Sequence, residues 1–342
     1  MSTSQLTGLR NGTLSLEDEH HAVREGVGLV DRSAVGRLRI TGEDAVDLLD
    51  RLSTNQMQGL APGRGLYTVL TNNKGRVVDL IFVLALDGHL LVLTGPDERT
   101  KVSEWIDFYT FTEDVSVEDV TDETGQLALV GPKAAALLEE LCGLDVLETY
   151  ESASVGIAGV EVTVVRTDFL RQPVYEIVLS SDGLDAVREA ALGSGHGVAP
   201  VGDTTLDLVR IEQGVPVQGR ELTEDANPLE AGLIDHISFN KGCYIGQEVV
   251  ARLDTYDKVQ RSLVGLSWGL DAAPEAGGDL FAEGKKVGVL TSTSKSNRLD
   301  RGIGLGLVRN AHTEPGVVLA ARSPEGPATV VVEGLPFTSE RS

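Results

Sequence analysis

At 342 residues the chain is long enough for about two domains of roughly 150 residues each, and 41% hydrophobic residues supply the apolar side chains for a sizeable core. No stretch approaches the ~18 uninterrupted apolar residues of a membrane-spanning helix, and MSTSQLTGLRNGTLSLEDEHH at the start lacks the features of a secretory signal, so a cytoplasmic protein without membrane contact is expected. The 29 basic residues, only eight of them lysine, stand against 52 acidic ones for a net charge of −23, which speaks against nucleic acid as a direct partner and suits a protein kept hydrated in concentrated salt, as in a halophile's cytosol.

The first strong pattern is Thr41-Gly42 followed by EDAVDLLDRLST, where Ala45, Val46, Leu48, Leu49 and Leu52 recur at helical spacing behind Thr41 as N-cap. GRVVDLIFVLAL from Gly75 and HLLVLTG from His89 are strand-length apolar runs joined by Asp87-Gly88, the pair that type I′ turns favour, and they predict a β-hairpin. QLALVG predicts a strand, and Pro132 opens a helix over KAAALLEELC that Gly143 ends. GVEVTVVRTDF and PVYEIVLSS read as strands, and DGLDAVREAALGSG as a helix ending in glycine. This irregular interleaving of strands and helices is the pattern of an α+β fold.

From about residue 258 the helical periodicity stops. SLVGLSW, KVGVLTSTS, GIGLGLV, VVLAAR and ATVVVEG follow as short runs separated by turn residues, which predicts a small β-barrel or sandwich. The chain therefore divides into regions 1–257 and 258–342. The glycines of GIGLGL alternate as in a strand and lack the spacing and the following helix of a dinucleotide loop.

Two cysteines, Cys142 and Cys243, exclude a disulfide framework or a Cys-rich metal site within the chain, and six scattered histidines show no metal-ligand spacing, so no metal is predicted. Cys142 lies on an apolar helix face and reads as core. Cys243 sits in Asn240-Lys241-Gly242-Cys243-Tyr244-Ile245-Gly246-Gln247-Glu248, two residues after a lysine and ahead of a helix-like segment. Both positive potentials favour a thiolate, which makes Cys243 a nucleophile or redox candidate; the alternative is an inert cysteine buried in a tight turn. Asp79 and Glu176 stand in apolar strands, where a carboxylate is either hydrogen-bonded or protonated and poised for a ligand or a proton, or else solvated at an exposed strand end. The charge runs LEDEHH, TEDVSVEDVTDE and LTEDAN read as solvated faces.

KGCYIGQE, preceded by VRIEQGVPVQGRELTEDANPLEAGLIDHISFN, resembles the signature of the YgfZ/Iba57 folate-binding proteins, which assist iron–sulfur cluster assembly and repair. HAVREGVGLVDRSAVGRLRITGEDAVDLLDRLSTNQ and GLYTVLTNNKGRVVDLIFV resemble the N-terminal part of the wider aminomethyltransferase family, the glycine-cleavage T-protein and related tetrahydrofolate-dependent enzymes. VGVLTSTSKSNRLDRGIGLGLV resembles that family's C-terminal barrel, so the likeness runs from about residue 20 to 335. It implies an aminomethyltransferase-like fold of ring-arranged subdomains around a folate pocket in region 1–257, with tetrahydrofolate or a derivative bound. Tyr67 and Asn72 match the family's YT…N segment and Glu176 its YEI strand, whose glutamate contacts the pterin ring.

Asp79 is retained where the transferases commonly carry a pair of aspartates beside the folate, and Arg210 either offsets a glutamyl carboxylate or pairs with Glu212. The Lys241–Glu248 motif, absent from typical T-proteins, marks the iron–sulfur branch. The resemblance thus implies an accessory protein for iron–sulfur enzymes or cluster carriers, with Cys243 and Lys241 functional and Gly242, Tyr244, Gly246, Gln247 and Glu248 completing the motif. The alternative is a tetrahydrofolate-dependent aminomethyltransferase or demethylase in which Asp79 is the catalytic carboxylate. Direct action on tRNA lacks support, because no basic stripe with interleaved aromatics is present.

Overall fold

A computed structural model describes residues 14–256, 258–324 and 326–337. In chain order the elements are α1 (Leu16–Glu25), β1 (Val27–Asp31), β2 (Val35–Thr41), α2 (Ala45–Leu52), β3 (Gly65–Thr71), β4 (Val77–Leu86), β5 (His89–Pro96), α3 (Arg99–Phe108), β6 (Ser116–Asp119), β7 (Thr124–Val130) and α4 (Ala134–Cys142). There follow β8 (Ser152–Ile157), β9 (Val160–Thr167), β10 (Val174–Ser180), α5 (Leu184–Gly193), β11 (Val198–Val201), α6 (Asp203–Gln213) and α7 (Gln247–Thr255). The last third holds β12 (Arg261–Trp268), β13 (Asp279–Ala282), β14 (Lys285–Ser296), β15 (Arg301–Arg309), β16 (Val318–Ala321) and β17 (Ala328–Glu333). Among the described residues no helix is long and apolar enough to cross a membrane.

Alternation along the strands sorts their side chains into an outer and an inner face. The first sheet, ordered β11-β1-β7-β10-β9-β8, turns Tyr175, Ile177 and Leu179 of β10 outward onto Leu137 and Leu138 of α4 and Val187 and Ala191 of α5. The second, ordered β3-β4-β5-β2-β6, is covered by Leu48, Leu49 and Leu52 of α2 and Val102 and Ile106 of α3. Each such fully buried side chain contributes about 1.5–3 kcal/mol. The two inner faces meet where Phe82, Leu84, Leu91 and Leu93 pack on Val165 and Val178.

Two local details differ from the sequence expectation. Thr41 ends β2 instead of capping α2, whose N-cap is Asp44, because β2 pairs with β6 as far as Thr41. The β4–β5 connection puts only Gly88 at positive φ, +81°, so it is not a type I′ turn; the glycine alone takes the conformation that a Cβ disfavours. The end of α4 is as expected, with Gly143 in the left-handed region at φ 68° and its N–H donating to the Glu139 carbonyl at 2.8 Å.

Strands β12-β15-β14-β13-β16-β17 form a closed barrel. In β15 the GIGLGL alternation has a packing cause. A Cβ at Gly302 would stand 2.0 Å from the Trp268 indole nitrogen, and one at Gly304 3.0 Å from the same ring and 2.3 Å from the Ser292 carbonyl. Ile303 and Leu305 point the other way, onto Leu208 and Ile211 of α6, and so join the barrel to the sheets. The result is an α+β fold with a closed C-terminal barrel.

Candidate functional site

A cavity of about 770 Å³ opens between the inner faces of the two sheets, bounded by α6 and by the segment from Val215 to His236. One wall is aromatic: the Tyr67 ring lies 4.8 Å from Phe82, 5.9 Å from Tyr150 and 5.4 Å from His236, centroid to centroid. Burial pushes both phenols above their ordinary range and keeps them protonated. The Tyr150 hydroxyl donates to Asp168 Oδ1 at 2.6 Å. Burial also lowers the His236 pKa, against the opposing pull of Asp168 and Asp235, and so favours the neutral imidazole.

Asp79 lies at the cavity floor and is fully buried. A register shift between β3 and β4 pairs Leu70 with Asp79 and Thr71 with Val77, leaving Val78 out of the ladder. Such a bulge re-aims side chains and frees backbone groups. Here it frees the Val78 carbonyl, which accepts from Lys101 Nζ at 2.9 Å and from Gln218 Nε2 at 3.1 Å. Asp79 Oδ2 accepts the Gly95 N–H at 2.8 Å, while Oδ1 has no hydrogen-bond partner among the described residues. Burial pushes its carboxyl up to about 7, helped by Glu98 and opposed by the N–H groups of Gly95 and Leu80 and by Lys101.

Glu176 occupies the inner face of β10 because its neighbours Tyr175 and Ile177 take the outer one. It is almost fully buried, with Arg32 Nε at 3.2 Å and an N–H of the Gln126 amide donating at 2.8 Å. Arg32 is held over the Phe169 ring at 4.1 Å. Close by, the buried polar atoms Arg166 Nε, Thr167 Oγ1 and Gln172 Nε2 lack partners among the described residues, and all three residues line the cavity. Buried polar groups are normally satisfied. A flat ligand with donors and acceptors along its edges and an anionic end fits an aromatic wall flanked by carboxylates and guanidinium groups, and it supplies the missing partners.

Asn72 is placed differently from the expected ligand contact, and Arg210 has other partners than Glu212. Asn72 does not line the cavity: its Oδ1 caps the β3–β4 turn, accepting from the N–H groups of Lys74 and Arg76 at 2.9 and 3.1 Å. An asparagine side chain closes such a turn within the strand connection, which fixes it there. Arg210 lines the cavity wall but is not free to pair with Glu212. It bonds Asp207 at 2.8 Å, Glu221 at 2.9 Å and the Ser292 hydroxyl of β14 at 2.6 Å. Two residues along a helix point to different faces, so Glu212 instead meets His20 at 3.0 Å and Ser296 at 2.6 Å.

The Lys241–Glu248 motif lies on the outside. Cys243 is exposed and does not line the cavity, so the alternative of a buried, inert cysteine does not hold. Lys241 turns away from solvent, and its ammonium donates to the carbonyls of Ser53 at 2.9 Å, Asn55 at 2.7 Å and Asp50, with the Asp50 carboxylate at 3.3 Å. These acceptors replace its water, so the lysine anchors the loop and does not stand free beside the thiol; burial lowers its pKa. Tyr244 is buried and its phenol is pushed up to about 12.

Gly246, at φ +84°, is required: a Cβ would stand 2.5 Å from the Asn72 carbonyl. At Gly242 a Cβ would meet nothing within 4 Å. Gln247 opens α7 with its side-chain amide 3.4 Å from the Gly242 carbonyl, and Glu248 is exposed. Sequence reading did not single out Arg32, Arg166, Gln218 or His236 among the cavity residues. Arg32, Gln218 and His236 fall within the segments that carry the resemblance, and none has a local pattern that distinguishes it.

The GCVT N-terminal domain family matches residues 10–241, and the glycine cleavage T-protein C-terminal barrel domain family matches residues 261–338. The chain is 33% identical over 309 residues to the aminomethyltransferase of Caldanaerobacter subterraneus subsp. tengcongensis, covering 88% of this chain and 82% of that protein. It is 31% identical over 313 residues to the aminomethyltransferase of Bacillus subtilis, covering 89% and 86%. The crystal structure of the glycine cleavage system aminomethyltransferase T from Bartonella henselae has the same fold, with a TM-score of 0.84 over 95% of this chain and 90% of that one, at 24% identity.

Proposed function

The chain belongs to the aminomethyltransferase family of the glycine-cleavage T-protein, and from this premise we propose that it binds tetrahydrofolate or a derivative in the central cavity and supports the assembly or repair of iron–sulfur enzymes through Cys243. The family binds tetrahydrofolate, whose nitrogens carry one-carbon units. Arg32 and Glu176 would hold one end of such a ligand, Tyr67 its ring face, and Asp79 the region where a one-carbon group sits.

The observation that carries the accessory role is the exposed thiol on an anchored loop outside the cavity. A reactive group meant for a small substrate belongs inside the cavity; one meant for another protein belongs where Cys243 is. The open space at Gly242 leaves room for the approach. A single cysteine can ligate a transferred cluster only together with a partner's ligands, or act by thiol exchange. The test is the activity of a cluster-dependent enzyme such as aconitase in cells lacking the gene, complemented with wild type or Cys243→Ala. Rescue by wild type and none by the variant supports this reading; unimpaired aconitase in the deletion strain removes it.

Asp79 favours a second reading, a tetrahydrofolate-dependent aminomethyltransferase or demethylase. Its unpartnered Oδ1 and its carboxyl near 7 suit a group that exchanges a proton at neutral pH. Here turnover of an amine one-carbon donor should be lost in Asp79→Asn with folate still bound, and unaffected by Cys243→Ala. Full turnover by Asp79→Asn rules this reading out.

A further inference from the structure

We propose that Gln218 is a specificity-determining residue of the cavity: its Oε1, paired with Asp79 Oδ1, accepts a hydrogen bond from a one-carbon-bearing nitrogen of a reduced folate that still carries hydrogen. The site therefore discriminates the unsubstituted carrier from its N-substituted forms.

The amide of Gln218 has a fixed orientation. Its Nε2 donates to the Val78 carbonyl at 3.1 Å, the carbonyl freed by the bulge in β4. Flipping the amide would set two carbonyl oxygens against each other, so Oε1 is the atom left without that bond, on a residue that lines the cavity. That oxygen is buried and has no partner among the described residues. Asp79 is fixed in the same way, with Oδ2 on the Gly95 N–H at 2.8 Å and Oδ1 without a partner. Both side chains flank Gly95, where a Cβ would stand 2.8 Å from Asp79 Oδ1 and 3.1 Å from Gln218 Cβ.

Two acceptors without partners thus flank Gly95, and with Asp79 ionised the described residues supply no donor to either. The nearest ammonium, that of Lys101, is committed to the Val78 carbonyl at 2.9 Å and to Glu98 at 3.2 Å. Leaving buried acceptors unpaired is costly unless a ligand brings the donor. A ligand nitrogen that carries hydrogen satisfies the pair. A formylated nitrogen brings no hydrogen and presents a further acceptor oxygen to two others.

The inference rests on the reading of the cavity as a reduced-folate site. Its test is anaerobic calorimetric titration at about pH 8 of wild type, Gln218→Leu and Gly95→Ala with tetrahydrofolate, 5-formyltetrahydrofolate and 10-formyltetrahydrofolate. Wild type should prefer tetrahydrofolate over at least one formyl form by about tenfold or more, as expected of a site built around a ligand N–H. Gln218→Leu keeps the side-chain bulk and removes the acceptor, so the preference should fall below about threefold. Gly95→Ala brings a Cβ to 2.8 Å from Asp79 Oδ1 and 3.1 Å from Gln218 Cβ, so the acceptors must shift to make room and tetrahydrofolate binding should weaken. A preference unchanged in Gln218→Leu marks the discrimination as steric and overturns the assignment while leaving the folate site intact. Failure of all three folates to bind wild type overturns the folate reading itself, and this inference with it.

Discussion

The ammonium of Lys241 lies 2.7 Å from the carbonyl oxygen of Asn55, a residue that lines the cavity. The bond spans 186 positions of sequence and ties the loop bearing Cys243 to the segment that closes the site. Two further bonds run alongside it: Thr54 Oγ1 donates to the His236 carbonyl at 2.7 Å, and the Ser238 N–H donates to the Thr54 carbonyl at 2.9 Å. The exposed thiol and the cavity wall are therefore built on one stretch of backbone.

Lys241→Met should lower stability by about 2–4 kcal/mol, because it leaves carbonyls and the Asp50 carboxylate without their charged donor. Urea unfolding should show an earlier midpoint with an unchanged slope. A change under about 0.5 kcal/mol would mean that the lysine does not anchor the loop and would return it to a role beside the thiol.

Asp79 gives stability a pH dependence of definite sign. Its carboxyl moves from 3.8 in the unfolded chain to about 7 in the fold, so between these values the folded protein holds the proton more tightly. Its contribution to stability falls as pH rises through that window and is level above about 7. Asp79→Asn removes this loss and should stabilise the protein at about pH 8, by at most about 4 kcal/mol, with the gain shrinking as pH approaches 5. Urea titrations of both proteins at the two pH values check it; a gain that grows on acidification contradicts the assignment.

Glu176→Gln preserves shape while removing the negative charge beside Arg32. Loss of one charge-assisted bond to the ligand corresponds to roughly tenfold to a hundredfold weaker tetrahydrofolate binding. Ligand fluorescence titration reads this directly. Equal affinity would place the pterin end of the ligand elsewhere in the cavity.

With −23 net charge and few lysines, the folded state carries strong self-repulsion. Raising potassium chloride from about 0.1 M to about 2 M shortens the screening distance to a few ångströms and should raise Tm substantially. A Tm that does not move would show that surface repulsion does not limit stability.

Much of the architecture was legible because its causes are local. The Pro132 and Gly143 boundaries of α4, the alternation in β9 and β10, and the strands of the barrel each follow from residues within a turn or two of one another. The short β13 did not stand out, since four residues carry too little periodicity. The motifs also singled out Tyr67, Asp79 and Glu176, which line one cavity.

Side-chain partners were decided by the tertiary structure alone. Arg210 finds Ser292 across 82 positions and leaves Glu212 to His20. Asn72 closes a turn, and Gln218 acquires its fixed oxygen only because a bulge in a distant strand frees the Val78 carbonyl. Periodicity records which face a residue occupies, because that is set by the geometry of its own element. Which charge or carbonyl stands opposite depends on chain segments that only folding brings within 3 Å.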